Sequence, residues 1–137
     1  MSEVITIEAV ANRARSDVWK MFNAPEHITQ WNFASDDWRC PRAENDLRAG
    51  GRLCYRMEAR DGSFGFDFEA IYDQVAHERR LKYTLTDGRK VETSFEDLDG
   101  KTRVRTVFDP DSENPVEMQR MGWQAILDNF KKHAEST

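Results

Sequence analysis

The stretch RLCYRMEARDGSFGFDFEA, residues 52–70, alternates apolar and polar side chains on both sides of an Asp-Gly pair. Leu53, Tyr55 and Met57 fall on one face and Arg52, Arg56 and Glu58 on the other, the period of two that marks a strand with one buried side. Phe64, Phe66, Phe68 and Ala70 repeat the pattern beyond the turn, opposed by Asp67 and Glu69. Asp61-Gly62 supplies backbone that tolerates positive φ, so the segment reads as a β-hairpin.

The pattern continues downstream. Leu81-Tyr83-Leu85, the turn Asp87-Gly88, Val91-Thr93-Phe95, the turn Asp99-Gly100 and Val104-Thr106-Phe108 follow one another without a helical interval. Parallel strands need crossovers of a dozen or more residues, so these short turns predict an antiparallel meander. Upstream, residues 4–10 alternate and are β-branched, which predicts a first strand. Ser16 precedes Asp17-Val18-Trp19-Lys20-Met21-Phe22 as an N-cap, with Asp17 suited to the helix dipole, and Pro25 opens a second short helix toward Ile28. Residues 31–51 show no clean period and end in Gly50-Gly51, which reads as a loop with one short strand. Trp31, Phe33 and Trp38 are too apolar for a solvated loop, so some of these rings should lie against the body of the domain or over a cavity.

Residues 114–133 have helical spacing, with Asn114 or Ser112 as cap and Pro115 at an early position. Gly122, Trp123, Ile126, Leu127 and Phe130 share one broad face, and Arg120, Gln124, Asp128 and Lys131 the other. Gln119 projects from the middle of the apolar face. The order is strand, two short helices, about six antiparallel strands and one long helix. An antiparallel sheet with one apolar face and a single amphipathic helix to cover it predicts an α+β fold of one domain, residues 1–137, whose curved sheet wraps around the C-terminal helix.

A chain of 137 residues can bury a core without disulfide or metal staples. Its 39% hydrophobic and 33% charged residues place it among folded chains that stay dissolved. A net charge of -5 with mixed signs leaves no basic stripe for phosphates, which argues against nucleic acid. No run of about 18 apolar residues and no signal-like N-terminus is present, so no membrane contact and a cytoplasmic location are expected. Cys40 and Cys54 have neither CxxC spacing nor a histidine pair nearby, and read as buried free thiols. His27, His77 and His133 stand beside no nucleophile signature, and His133 suits a helix C-terminus. Neither a metal nor a cofactor is expected. Asp36-Asp37 diverge in an extended loop, and Asp67, Glu92 and Glu96 lie on polar strand faces, so no catalytic residue is assigned. Gly50-Gly51 lacks a phosphate-binding pattern and reads as a turn.

Three stretches carry a family resemblance: Asp46-Leu47-Arg48-Ala49-Gly50-Gly51, the run from Asp61 through Phe68 quoted above, and Gln119-Arg120-Met121-Gly122-Trp123-Gln124-Ala125-Ile126-Leu127-Asp128-Asn129-Phe130. With the order of elements they resemble the SRPBCC or START-like (Bet v 1-like, helix-grip) superfamily over essentially the whole chain. The resemblance narrows to the branch similar to the activator of heat-shock-protein-90 ATPase homologue. It implies an elongated cavity between sheet and helix, which relatives use for lipids, sterols, hormones or polyketide intermediates. The eukaryotic co-chaperones carry an additional N-terminal domain for chaperone contact, for which 137 residues leave no room.

The candidate cavity set joins Trp31 and Trp38 from the aromatic segment with Tyr55, Met57, Phe66, Phe68, Tyr83 and Phe95 from the strands, and Trp123 and Gln119 from the helix. Apolar walls with a few oriented polar groups are what a small-molecule site requires. The leading expectation is therefore a binding module for a hydrophobic or aromatic small molecule. A cyclase- or hydrolase-like enzyme using Tyr55, Tyr83 and Gln119 as donors is the alternative. A chaperone-associated stress-response module is the third reading, and a homodimer is compatible with the free sheet edges.

Overall fold

Each Asp-Gly pair lies in a turn between two strands. The computed structural model describes residues 4–137. Its elements are β1 (Ile5–Ala11), α1 (Arg15–Asn23), α2 (Pro25–Trp31), β2 (Trp38–Asn45), β3 (Arg52–Ala59), β4 (Gly65–Ala76), β5 (Arg80–Leu85), β6 (Lys90–Asp97), β7 (Thr102–Phe108) and α3 (Val116–Ser136). At Asp99 and Gly100 both φ angles are positive, 61° and 94°, the type I′ combination whose twist matches the flanking strands.

The seven strands form one antiparallel sheet in the order β1-β7-β6-β5-β4-β3-β2. β1 pairs with the last strand, Ile7 opposite Thr106, so β1 and β2 end up at opposite edges. The chain between them must cross the concave face, and it does so as α1, which touches β6, and α2, which lies along β2. α3 runs against β1 and touches α1 and α2, while it reaches β4 through side chains, the Trp123 ring edge-on to Phe68 at 6.0 Å. Leu127, Phe130 and Ala134 of α3 are buried. The Phe130 ring meets Phe22 and Trp31 edge-on at 5.2 and 4.9 Å, and Trp123 stacks on Phe108 at 3.9 Å and 13°. These contacts hold one side of α3 by aromatic packing.

Four local expectations are corrected. α1 begins at Arg15 with Ala14 as its N-cap and no capping side chain, so Ser16 lies inside the first turn. α3 is preceded by Pro115 at the N-cap, which also caps with no side chain. Asn114 instead turns its backbone N–H to the Asp111 carboxylate, 2.9 Å away. Residues 31–51 contain a strand of eight residues, β2, in place of one short segment. Pro41 masks it in the sequence. It falls where the register shifts between Arg39 and Arg42 on an edge strand, the setting in which a missing N–H is tolerated. The first strand begins one residue later than expected and runs to Ala11.

Gly50-Gly51 is a turn, and its second residue has a steric reason to be glycine. A Cβ at Gly51 would lie 2.1 Å from the Asp46 carbonyl oxygen. The turn also docks on β4, with Gly50 N–H donating to the Tyr72 carbonyl at 2.8 Å and Tyr72 N–H to that of Gly51 at 2.9 Å. This fixes where Tyr72 enters the sheet. Cys40 and Cys54 are both buried and free. Asp67, Glu92 and Glu96 pair on the surface with Arg56, Arg80 and Arg103. Exposed pairs of this kind contribute little to stability.

Candidate functional site

Because α3 follows the β1 side of the sheet, the concave face of β3–β5 is left for side chains to line. A cavity of about 170 Å³ lies there. Its floor comes from the inward positions of consecutive strands: Tyr55 and Met57 of β3, Phe68 and Tyr72 of β4, Leu81 and Tyr83 of β5, Thr93 of β6 and Thr106 of β7. α1 contributes Phe22 and Asn23, α2 ends in Trp31 with Asn32 following, and Trp123, Ile126 and Leu127 of α3 form the roof. Phe66 and the half-buried Phe22, Phe68, Trp123 and Ile126 are the more exposed members of the lining, and four of these five lie at the start of β4 and the middle of α3, where the cavity opens.

Seven members of the sequence-based set line this cavity: Trp31, Tyr55, Met57, Phe66, Phe68, Tyr83 and Trp123. Three are placed elsewhere. Trp38, at the start of β2, lies near the exposed rings of Phe64 and Phe66, with centroids 6.0 and 6.2 Å away. Phe95 is turned toward α1, edge-on to Trp19 at 5.1 Å and Phe22 at 5.3 Å. Gln119 is buried, as its helical phase requires, but its amide is committed locally. Its oxygen accepts from Asp111 N–H at 2.8 Å and its nitrogen donates to the Asn114 carbonyl at 2.8 Å. It orders the segment that leads into α3.

Tyr72 and the two asparagines are absent from the sequence-based set. Tyr72 continues the step of two through Phe66, Phe68 and Ala70, and that periodicity alone would have found it. Asn23 is the last residue of α1 and Asn32 follows α2, positions where a polar residue carries no signal of burial. The Asn23 side chain donates to the Trp19 carbonyl at 2.9 Å, and its oxygen is buried without a partner among the described residues. Asn32 directs its amide toward the Met57 sulfur at 3.2 Å.

The polar groups divide into committed and uncommitted ones. The Tyr72 hydroxyl donates to Asn45 Oδ1 at 2.6 Å, and Asn45 in turn donates to the Asn23 carbonyl at 2.8 Å. Thr93 and Thr106, opposite each other on β6 and β7, share a hydrogen bond of 2.8 Å. Tyr83 is 8% exposed, and its hydroxyl has no hydrogen-bond partner among the described residues. Burial raises the pKa of Tyr55, Tyr72 and Tyr83 above that of a free phenol, so all three remain protonated donors at neutral pH. Among the described residues, none that lines the cavity is charged. No helix of the described residues is long and apolar enough to cross a membrane.

His27 and His133, 106 positions apart, meet through Nδ1 and Nε2 at 2.9 Å and tie α2 to α3 outside the cavity. The His133 pKa is lowered by burial and by the His27 charge. Among the described residues no three His, Cys, Asp or Glu side chains come together as a metal site.

Comparison with known proteins agrees with the fold. The sequence profile of the family described as activator of Hsp90 ATPase homolog 1-like protein matches residues 12–135. The solution structure of an AHSA1-like protein from Aeromonas hydrophila is 40% identical, with a TM-score of 0.92 over 98% of this chain and 93% of that one. A solution structure from Cytophaga hutchinsonii is 45% identical, with a TM-score of 0.84 over 96% of this chain and 92% of the other. A crystal structure from Nitrosomonas europaea shares the fold at 17% identity, with a TM-score of 0.84 over 97% and 94% of the two chains. No protein of curated function matches the sequence.

Proposed function

The chain belongs to the activator of Hsp90 ATPase homolog 1-like family, and from that premise we propose that it is a binding module holding one hydrophobic or aromatic small molecule between its sheet and α3. The observation that carries this reading is the aromatic-walled space of about 170 Å³. Close-packed interiors leave few voids larger than a water molecule, so a space of this size beneath the covering helix calls for an occupant. Its volume also sets the scale of that occupant. A cavity of roughly 150 Å³ holds one benzene ring. A single ring with a short substituent therefore fits as the side chains stand, and a four-ring sterol does not. The module acts in the cytoplasm as a carrier or sensor, without nucleic acid or membrane.

The test is a thermal-shift series from one-ring aromatics to sterols. A ligand at about 100 times its Kd adds roughly 2.7 kcal/mol, a shift of several degrees. One-ring compounds should raise the melting temperature of the wild type and leave that of Ile126→Trp, which fills the opening, where it was. Silence of every one-ring compound at millimolar concentration would refute the reading.

A second reading rests on the exposed Phe64, Met118 and Met121, each about 60% or more accessible. These are side chains that a protein partner could cover, and the family description names the Hsp90 ATPase. Stimulation of that ATPase by the purified chain, lost on replacing the three by Ser, would favour it. An unchanged rate would remove it.

A further inference from the structure

Resting on the small-molecule reading, the polar groups of the cavity narrow the chemistry of the ligand. We propose that the cavity selects a neutral one-ring compound whose carbonyl oxygen accepts a hydrogen bond from the Tyr83 hydroxyl.

Accounting for each polar group in the lining leaves little choice. The Tyr72 proton is held by Asn45. The hydroxyls of Thr93 and Thr106 satisfy each other. The Asn32 amide is directed at sulfur and the Asn23 amide nitrogen at the Trp19 carbonyl, while Asn23 Oδ1, though unpartnered among the described residues, is itself inaccessible. The Tyr55 hydroxyl lies beside that of Tyr72, which can accept from it, and makes no other hydrogen bond among the described residues. Tyr83 lines the same wall, its ring edge-on to Tyr72 at 5.9 Å, and keeps a donor with no partner among the described residues. An uncommitted buried hydroxyl is costly unless something pairs with it. Burial keeps it protonated, so it offers a proton and asks for an acceptor. A ketone, aldehyde or ester oxygen answers that need with no proton of its own to place.

Charge is excluded by the same walls. Among the described residues no Lys, Arg or His lines the cavity, so a carboxylate entering it would lose its hydration with no cation to replace it. Fatty acids and aromatic acids therefore stand outside the ligand class, although their hydrocarbon parts would be welcome. Size and polarity converge on a small aryl ketone or a ring of similar form.

The test uses acetophenone, ethylbenzene and benzoate as probes, with binding followed by amide chemical shifts and calorimetry on the full chain. Acetophenone and ethylbenzene match in shape and differ in the carbonyl. The quantity read is the ratio of their Kd values in wild type and in Tyr83→Phe, in which differences in hydration of the free ligands cancel. Phe at 83 leaves the carbonyl without its donor, so acetophenone should lose roughly three- to tenfold in affinity relative to ethylbenzene. Benzoate should fail to bind at concentrations that saturate the protein with acetophenone. An unchanged ratio in Tyr83→Phe, or benzoate binding as tightly as acetophenone, would overturn the proposal while leaving the small-molecule reading in place. Failure of all three probes to bind would overturn both. Binding of ethylbenzene by both proteins shows that Tyr83→Phe remains folded with its cavity intact.

Discussion

Tyr72→Phe and Tyr83→Phe each delete one hydroxyl from adjacent strands of the same cavity wall, and they should have unequal consequences for stability. Tyr72 is 2% exposed and donates to Asn45 Oδ1 at 2.6 Å, within a chain that passes through Asn45 to the Asn23 carbonyl. Its removal leaves the half-buried Asn45 oxygen with only partial access to water. A loss of about 1–2 kcal/mol follows from an unsatisfied acceptor in that setting. For a chain of 137 residues the unfolding entropy is about 0.29 kcal/mol per K, so the melting temperature should fall by roughly 3–7 °C. Tyr83 gives up a hydroxyl that has no partner among the described residues, and Tyr83→Phe should stay within about 0.5 kcal/mol of wild type or rise slightly. Urea unfolding followed by tryptophan fluorescence, with melts alongside, measures both. The reasoning also requires coupling: Asn45→Ala should cost less in the Tyr72→Phe background than in wild type. Equal losses for the two Tyr→Phe variants, or additive losses for the Tyr72–Asn45 pair, would refute the division into committed and uncommitted hydroxyls.

The His27–His133 contact gives a pH dependence. The folded pKa of His133 lies below its ordinary 6.5, so the unfolded chain binds the proton more readily, and stability should fall as pH drops below about 6.5 toward the folded pKa. Wild type should lose more between pH 7 and 5.5 than His133→Gln, and identical slopes would show that the pair does not titrate with folding. Gly51→Ala forces a Cβ against the Asp46 carbonyl oxygen and should cost more than about 1 kcal/mol, with shifted amide signals at Gly50 and Tyr72 in the NMR spectrum. Phe130→Ala removes a ring 1% exposed between Phe22 and Trp31 and should cost about 3–5 kcal/mol in denaturant unfolding, whereas Met121→Ala, 66% exposed on the same helix, should stay within about 0.5 kcal/mol.

Much of the architecture could be read from the sequence alone because its causes are local. The Asp-Gly turns dictate hairpins through glycine at positive φ in all three, joined by Asp99 in the last, and alternation such as Leu53-Tyr55-Met57 dictates which face is buried. Helical phase likewise put Leu127, Phe130 and Gln119 inward, where they are found. The length and bounds of β2, expected only as one short strand, escaped that reading because Pro41 and the register shift beside it break the period of two. What the inward residues do was decided in three dimensions. Gln119 faces inward but binds the segment at Asp111 and Asn114, and Phe95 faces inward but packs under α1. His27 and His133 meet only because α2 and α3 cross near their ends. The cavity exists because the α3 backbone lies along β1 and only side chains such as Trp123 reach across toward β4, a docking position that periodicity does not specify. The free hydroxyl of Tyr83 beside the bonded one of Tyr72 has the same origin. Periodicity turns both tyrosines inward, and only the packing of neighbouring strands and loops determines which of them finds a partner.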